Sequence, residues 1–183
     1  LLAFYFYFKF GAMGIYLGYW HAVSAFTNCG LDIMGANAGF AKMAADPFVS
    51  TVIVVTMFLG GVGFMAADDF LRHRSWSGLS LNSKLIFLME AILIPLGTII
   101  FYNLEGNNPE TLGGLSTMEK WQSAVFMSVS SRLGGFAVFD IHSMLDQTVL
   151  LVMMFMFIGA APVSTGGGIR TTTIGLLFLS LYA

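Results

Sequence analysis

Two short segments carry the residues best suited to holding a bare cation. Asn28-Cys29-Gly30-Leu31 and Leu133-Gly134-Gly135-Phe136 are glycine-containing turns, each closing a short apolar stretch, Tyr19 to Asn28 and Met118 to Ser131. A cation leaving water needs oxygen ligands, and backbone carbonyls supply them without adding charge. Carbonyls turn inward only in dihedrals that most side chains resist and glycine adopts readily. A short helix that directs its C-terminal end at such a turn adds partial negative charge. Read this way, the carbonyls of Thr27, Asn28, Cys29 and Gly30, and of Arg132, Leu133, Gly134 and Gly135, form the ligand set of an ion filter. The plainer reading is two helix-ending turns with glycine caps. Two of them, each after a helix too short to cross a bilayer and before a full span, favour the filter. Asn28 is either a side-chain amide ligand or a turn-former. Cys29 has nothing basic beside it and reads as a packing residue.

A third glycine cluster, Ser164-Thr165-Gly166-Gly167-Gly168, interrupts an apolar stretch. Pro162 removes a backbone donor there, and each glycine lowers helix stability by about 1 kcal/mol relative to alanine. A break is therefore expected, with the hydroxyls of Ser164, Thr165 and Thr171 to Thr173 available to the freed backbone groups. Such a break is either a moving gate or a static kink. It is not a phosphate-binding loop, because Arg170 replaces the lysine, the spacing fails and the flanks are apolar spans.

These turns need a membrane-like frame, and the composition supplies one. The chain has 183 residues, 57% hydrophobic and only 10% charged, against about 25% charged in soluble domains. A formal net charge of −2, with no basic stripe, argues against nucleic acid. One cysteine and three scattered histidines leave no disulfide framework and no zinc site. Crossing the hydrocarbon takes about 20 mostly apolar residues. Four stretches qualify or nearly do: Leu1 to about Leu17, Phe48 to Ala67, Leu85 to Tyr102, and the interrupted Val149 to Tyr182. Both ends lie in apolar sequence without a signal-peptide pattern, so the expectation is a piece of a longer membrane protein.

Arg72, Arg74 and Lys84 form the densest basic cluster and place residues 68–84 in the cytoplasm. The loops Asp32–Pro47 and Leu104–Thr117 then lie outside, with Lys42 a mild dissent. The order span, short re-entrant helix, glycine turn, outer loop, span occurs twice, giving pore units at 1–67 and 85–183 joined by the 68–84 linker. Such repeats in transport proteins put the substrate path at the repeat interface. The fold class expected is an all-α membrane protein of repeated span–pore helix–span units with re-entrant pore loops.

Single charged residues complete the reading. Glu90 falls within a span, and a solvated or bundle-facing structural role is favoured for it. Arg132 anchors its helix by hydrogen bonds rather than lining the path, where its charge would repel cations. Lys9 snorkels or faces the bundle. Asp32 and Asp140 either concentrate cations outside the turns or are solvated loop acids. His21, His73 and His142 have no clustered partners and are not expected as ligands, and the three tryptophans suit membrane interfaces.

The segments His21 to Gly30, Ser130 to Phe136, Phe58 to Phe64 and above all Ser164 to Thr173 resemble the Trk/Ktr/HKT superfamily of potassium transporters, in the family's order and over nearly the whole chain. The resemblance implies four pore units around one pore, of which this chain supplies the second and third. It implies potassium as the transported ion, no organic cofactor, and Ser164, Thr165, Gly166, Gly167 and Gly168 as a gate beneath the filter. It also implies a multi-pass cell-membrane protein in contact with lipid, working as a homodimer with a cytoplasmic nucleotide-binding regulatory subunit. Leu133 and Leu31 depart from the family's usual Thr and Phe. A sodium-permeable relative is the nearest alternative. A polytopic membrane enzyme would need converging acid, base or metal ligands, and none is found. A non-conducting structural membrane piece is a third reading.

Overall fold

The structure, a computed structural model, describes residues 1–34 and 46–182. The greater part of the loop expected outside at 32–47, including Lys42, lies outside the described residues. Among those described there are eight α-helices and no strand, only an isolated parallel bridge between Ile158 and Ile169. They are α1 (Leu2–Phe10), α2 (Ala12–Phe26), α3 (Pro47–Val62), α4 (Phe64–His73), α5 (Leu81–Glu105), α6 (Thr117–Val129), α7 (Asp146–Phe157) and α8 (Thr171–Tyr182).

The expected span from Leu1 to about Leu17 does not form. Gly11, at φ +64°, ends α1 and turns the chain back into α2. Small residues make the hairpin tight. A Cβ on Gly14 would lie 2.0 Å from the Phe6 carbonyl oxygen, and one on Gly18 would lie 2.4 Å from the Ala3 Cα. Helices approach this closely only through glycine-like positions. The helix leading to the first glycine turn is thus 15 residues long, and it begins well before Tyr19.

The expected span Phe48 to Ala67 also stops early. Asp46 caps α3 by accepting the Phe48 N–H, with Pro47 in the first turn. Its carboxylate also takes the Lys9 ammonium at 2.8 Å and the Tyr5 hydroxyl, fastening α1 to α3. Gly63, at φ +83°, then ends the helix, and α4 leaves at 94° to it. The sharp bend forms because Phe64 N–H donates to Val163 and any Cβ on Gly63 would meet the Pro162 carbonyl at 2.6 Å.

α5 is long and apolar enough to cross a membrane by itself, and α3 with α4 passes the same test only as a bent pair. Ser80 caps α5, and Pro95 sits inside it. At Gly97 the small side lets α6 come close: Ser128 Oγ donates to the Ile94 carbonyl at 2.8 Å, where a Cβ on Gly97 would collide with it. α6 starts with a complete capping box, Ser116 and Glu119 exchanging backbone and side-chain bonds. Buried Glu105 ties the intervening loop together, accepting from Thr111, Asn108 and the Leu145 N–H. The expected fourth stretch divides into α7 and α8 around residues 158–170, as its glycines and proline dictate. The core between these helices is Ile53, Met57, Phe101, Phe126, Val129 and Phe155.

Candidate functional site

The two glycine turns meet. α2 ends at Phe26 and α6 at Val129, and the chain beyond each folds into a turn against the other. After α2, Asn28 takes φ +53° and Gly30 φ +67°; after α6, a π-turn over Ser130–Gly134 leads to Gly135 at φ +69°. A Cβ on Gly30 would lie 2.3 Å from the Gly134 carbonyl oxygen and 2.8 Å from the Gly135 carbonyl carbon. The backbones therefore touch at a position where only glycine fits in both dihedral and space.

The two turns share a hydrogen-bonding pattern. In each, a serine near the helix end donates its hydroxyl to the carbonyl just past the glycine: Ser24 to Leu31 at 3.0 Å, and Ser130 to Phe136 at 2.6 Å. Each turn is also closed by an N–H bonding five residues back, Cys29 to Ser24 and Gly135 to Ser130. The carbonyls of Asn28, Cys29, Gly30 and Gly135, by contrast, accept no hydrogen bond from any described residue. These four residues are half-buried or exposed, so their carbonyls face open space, and at two converging helix C-terminal ends they make an electronegative site.

Side chains around the turns are occupied elsewhere. The Asn28 amide lies 2.8 Å from the Thr165 hydroxyl. With its oxygen accepting from Thr165 and from Gly61 N–H, its nitrogen donates to the Ala25 and Met57 carbonyls. The amide is thus a tie between turn, α3 and the broken span, and it is the turn-forming role that the contacts support. Leu133 is buried against Gly61 of α3, where a Cβ would come within 2.7 Å of it. Leu133 thus serves the core packing against α3. Cys29 is exposed, with the Thr27 hydroxyl 3.3 Å from its sulfur.

Arg132 is the largest surprise. Its Cα belongs to the second turn, but its guanidinium runs back into the core and pairs with Glu90 of α5. Nη1 and Nη2 donate to the two carboxylate oxygens at 3.0 and 2.8 Å, with Glu90 2% and Arg132 5% exposed. Nε reaches the Ile158 carbonyl at 3.4 Å. The anchoring role expected for Arg132 is what the geometry gives, and Glu90 faces the bundle. Their partnership was hidden by 42 residues of separation. Removing one member of such a pair strands a buried charge, typically at about 3–5 kcal/mol. The first turn has its own clasp. His21, fully buried, places Nδ1 2.7 Å from the Leu17 carbonyl and Nε2 2.9 Å from Asp32. His21 and Asp32 are thus paired with each other, where the sequence suggested an isolated histidine and an acid facing outward.

The broken span lies directly against the first turn. Ile158 to Ile169 is pinched shut by Gly159 N–H to Ile169 and Ile169 N–H to Phe157. Gly168, at φ +82°, packs on Gly159 so closely that a Cβ on either would collide with the other's backbone. Thr165 Oγ1 lies 3.0 Å from the Phe26 carbonyl and 3.3 Å from that of Gly60. Ala161 N–H donates to Gly61, Ser164 hydroxyl to Ala161, and Arg170 to Ala161 and Gly166. Thr165 thus touches the first turn, Ser164 and Gly166 bond within the loop, and Gly167 and Gly168 close its neck. Asp140 caps a short helical turn, Ile141–Ser143, and makes no contact with either glycine turn among its recorded bonds.

With this geometry in hand, the chain can be compared with known proteins. The TrkH family profile, described as a cation transport protein, matches residues 9–183. The Ktr system potassium uptake protein B of Vibrio alginolyticus is 32% identical over 171 residues, covering 92% of this chain and 37% of that protein. The potassium/sodium uptake protein NtpJ of Enterococcus hirae is 34% identical over 178 residues, covering 96% of this chain and 38% of that protein. The crystal structure of the potassium transporter TrkH from Vibrio parahaemolyticus shares the fold, with a TM-score of 0.66 at 17% identity over 97% of this chain and 37% of that one. The chain spans less than two-fifths of the length of these proteins.

Proposed function

The chain belongs to the TrkH family of cation transport proteins, and from that premise we propose that it forms part of the potassium-translocating membrane subunit of an uptake system. Residues 1–67 and 85–183 are two of four pore units, and residues 68–84 are a cytoplasmic linker between them. Potassium is the cargo. It sheds water onto the carbonyls of Thr27, Asn28, Cys29 and Gly30 on one side and of Arg132, Leu133, Gly134 and Gly135 on the other. Residues 164–168 gate the path below. The observation that carries this reading is the pair of glycine turns in backbone contact, each at the C-terminal end of a helix, with the carbonyls of Asn28, Cys29, Gly30 and Gly135 accepting from no described residue. Carbonyls so placed replace a hydration shell without a fixed charge that would hold the ion too tightly to leave. No covalent step is involved.

The subunit is multi-pass in the cell membrane, functions as a homodimer and answers to a cytoplasmic nucleotide-binding subunit; these follow from the family resemblance. A sodium-permeable pore is the second reading, favoured by the name of the Enterococcus hirae relative. Potassium uptake by the full-length protein in cells lacking their own uptake systems tests the proposal, with sodium as competitor. Rescue that is lost on substituting Gly30 or Gly135 supports it. Rescue indifferent to both substitutions overturns the filter assignment, and equal uptake of the two ions selects the second reading.

A further inference from the structure

The ion pairs between Lys9 and Asp46, Arg72 and Asp68, and His73 and Asp69 each include an exposed side chain, whereas Glu90 and Arg132 are buried on both sides. The pair lies immediately behind the second glycine turn. Arg132 contributes its backbone to that turn and its charge to the pair, so the two functions are set by one residue.

We propose that Glu90 is the positioning residue of the second turn: its carboxylate draws the Arg132 guanidinium out of the ion path, so that the turn presents the Arg132 carbonyl and not its charge. This rests on the filter reading above. The fork geometry makes the hold directional. A guanidinium bound through two parallel N–H···O bonds cannot swing about one contact as an ammonium can. The third donor, Nε, is spent on the Ile158 carbonyl at the end of α7, one of the acceptors a helix C-terminus leaves open. Three donors of one guanidinium, bound to acceptors on α5 and at the end of α7, fix its plane, and because the long side chain is buried along its length they restrain the Arg132 Cα. The carbonyls of Arg132 to Gly135 inherit that placement. A guanidinium released toward the path would repel any cation, whereas a slackened turn would widen the site and blur the discrimination between ions of different radius.

The test uses the full-length protein in potassium-uptake-deficient cells, measuring rubidium and sodium uptake from mixed medium together with the amount of protein in the membrane. Glu90→Gln is expected to lower the rubidium-to-sodium uptake ratio at least threefold at an unchanged membrane amount. Glu90→Asp, which keeps the charge and shortens the reach, is expected to fall between. If the Gln variant does not reach the membrane, the Asp variant decides on the same ratio. An unchanged ratio in the variant that inserts, a drop in flux with the ratio preserved, or failure of both variants to insert each overturns the proposal in favour of a purely structural pair. Gly135→Ala, run alongside, separates the two claims. If it changes neither flux nor ratio, the filter reading fails. If it shifts the ratio while the Glu90 variants do not, the filter reading stands and the positioning role falls.

Discussion

Gly30 and Gly135 have nearly the same φ, +67° and +69°, but unequal surroundings. An alanine at Gly135 meets nothing nearer than 3.8 Å, so only its left-handed φ opposes it, at about 1–2 kcal/mol. An alanine at Gly30 carries the same strain and also strikes the backbone of the second turn, which cannot step aside as a flexible side chain would. Gly30→Ala is therefore expected to reduce potassium uptake at least tenfold, and Gly135→Ala distinctly less; equal losses, or the reverse order, would contradict the contact between the turns. Both glycines and their conformational reason were readable in the sequence, because left-handed turns after short helices have few other occupants. The partners of Glu90 and His21 were not. Each sits in a run of apolar residues with its partner folded in from elsewhere, Arg132 from 42 positions away and Asp32 across the first turn. Charge alone says that such a residue needs a partner, not which one.

Elements were legible where their ends carry chemistry. Pro162 with three glycines announces the break before α8, whereas the Ser116–Glu119 capping box that starts α6 emerged only in the fold. The hairpin at Gly11 and the elbow at Gly63 were missed, because hydrophobicity runs through both and a single glycine inside an apolar run is tolerated in spans. The broken span is held shut by bonds that the three glycines permit. Deleting Gly166 to Gly168 is expected to raise ion flux severalfold in the same uptake assay, and unchanged flux at normal membrane amount would make the loop a static kink. The elbow gives a prediction in pH. The Asp69 carboxylate on α4 is held down to about 2 by the Ser83 hydroxyl and by the Ser80 N–H and hydroxyl at the start of α5. Since its folded-state value lies below the ordinary 3.8, its anchoring is complete above that pH and is lost as pH falls through about 2. Hydrogen exchange at the Ser80 amide should stay protected down to pH 3 and open near 2. Opening already near 4 would show that the carboxylate does not hold the elbow.

At the scale of the whole molecule, the described surface leaves large apolar side chains outward on nearly every helix, including Phe4, Leu59, Met153, Phe157 and Leu181. A surface of that kind suits lipid and neighbouring helices rather than water, in keeping with a chain that spans under two-fifths of its relatives. In the proposed pore the two turns contribute only part of a ring of oxygens, and the remaining units of the full-length protein complete it. The most direct test is anomalous diffraction from the full-length protein crystallised with rubidium in place of potassium. The account predicts a rubidium peak within coordination distance of the carbonyls of Asn28, Cys29, Gly30 and Gly135. A peak elsewhere on the pore axis, with these carbonyls turned away from the ion, would contradict it.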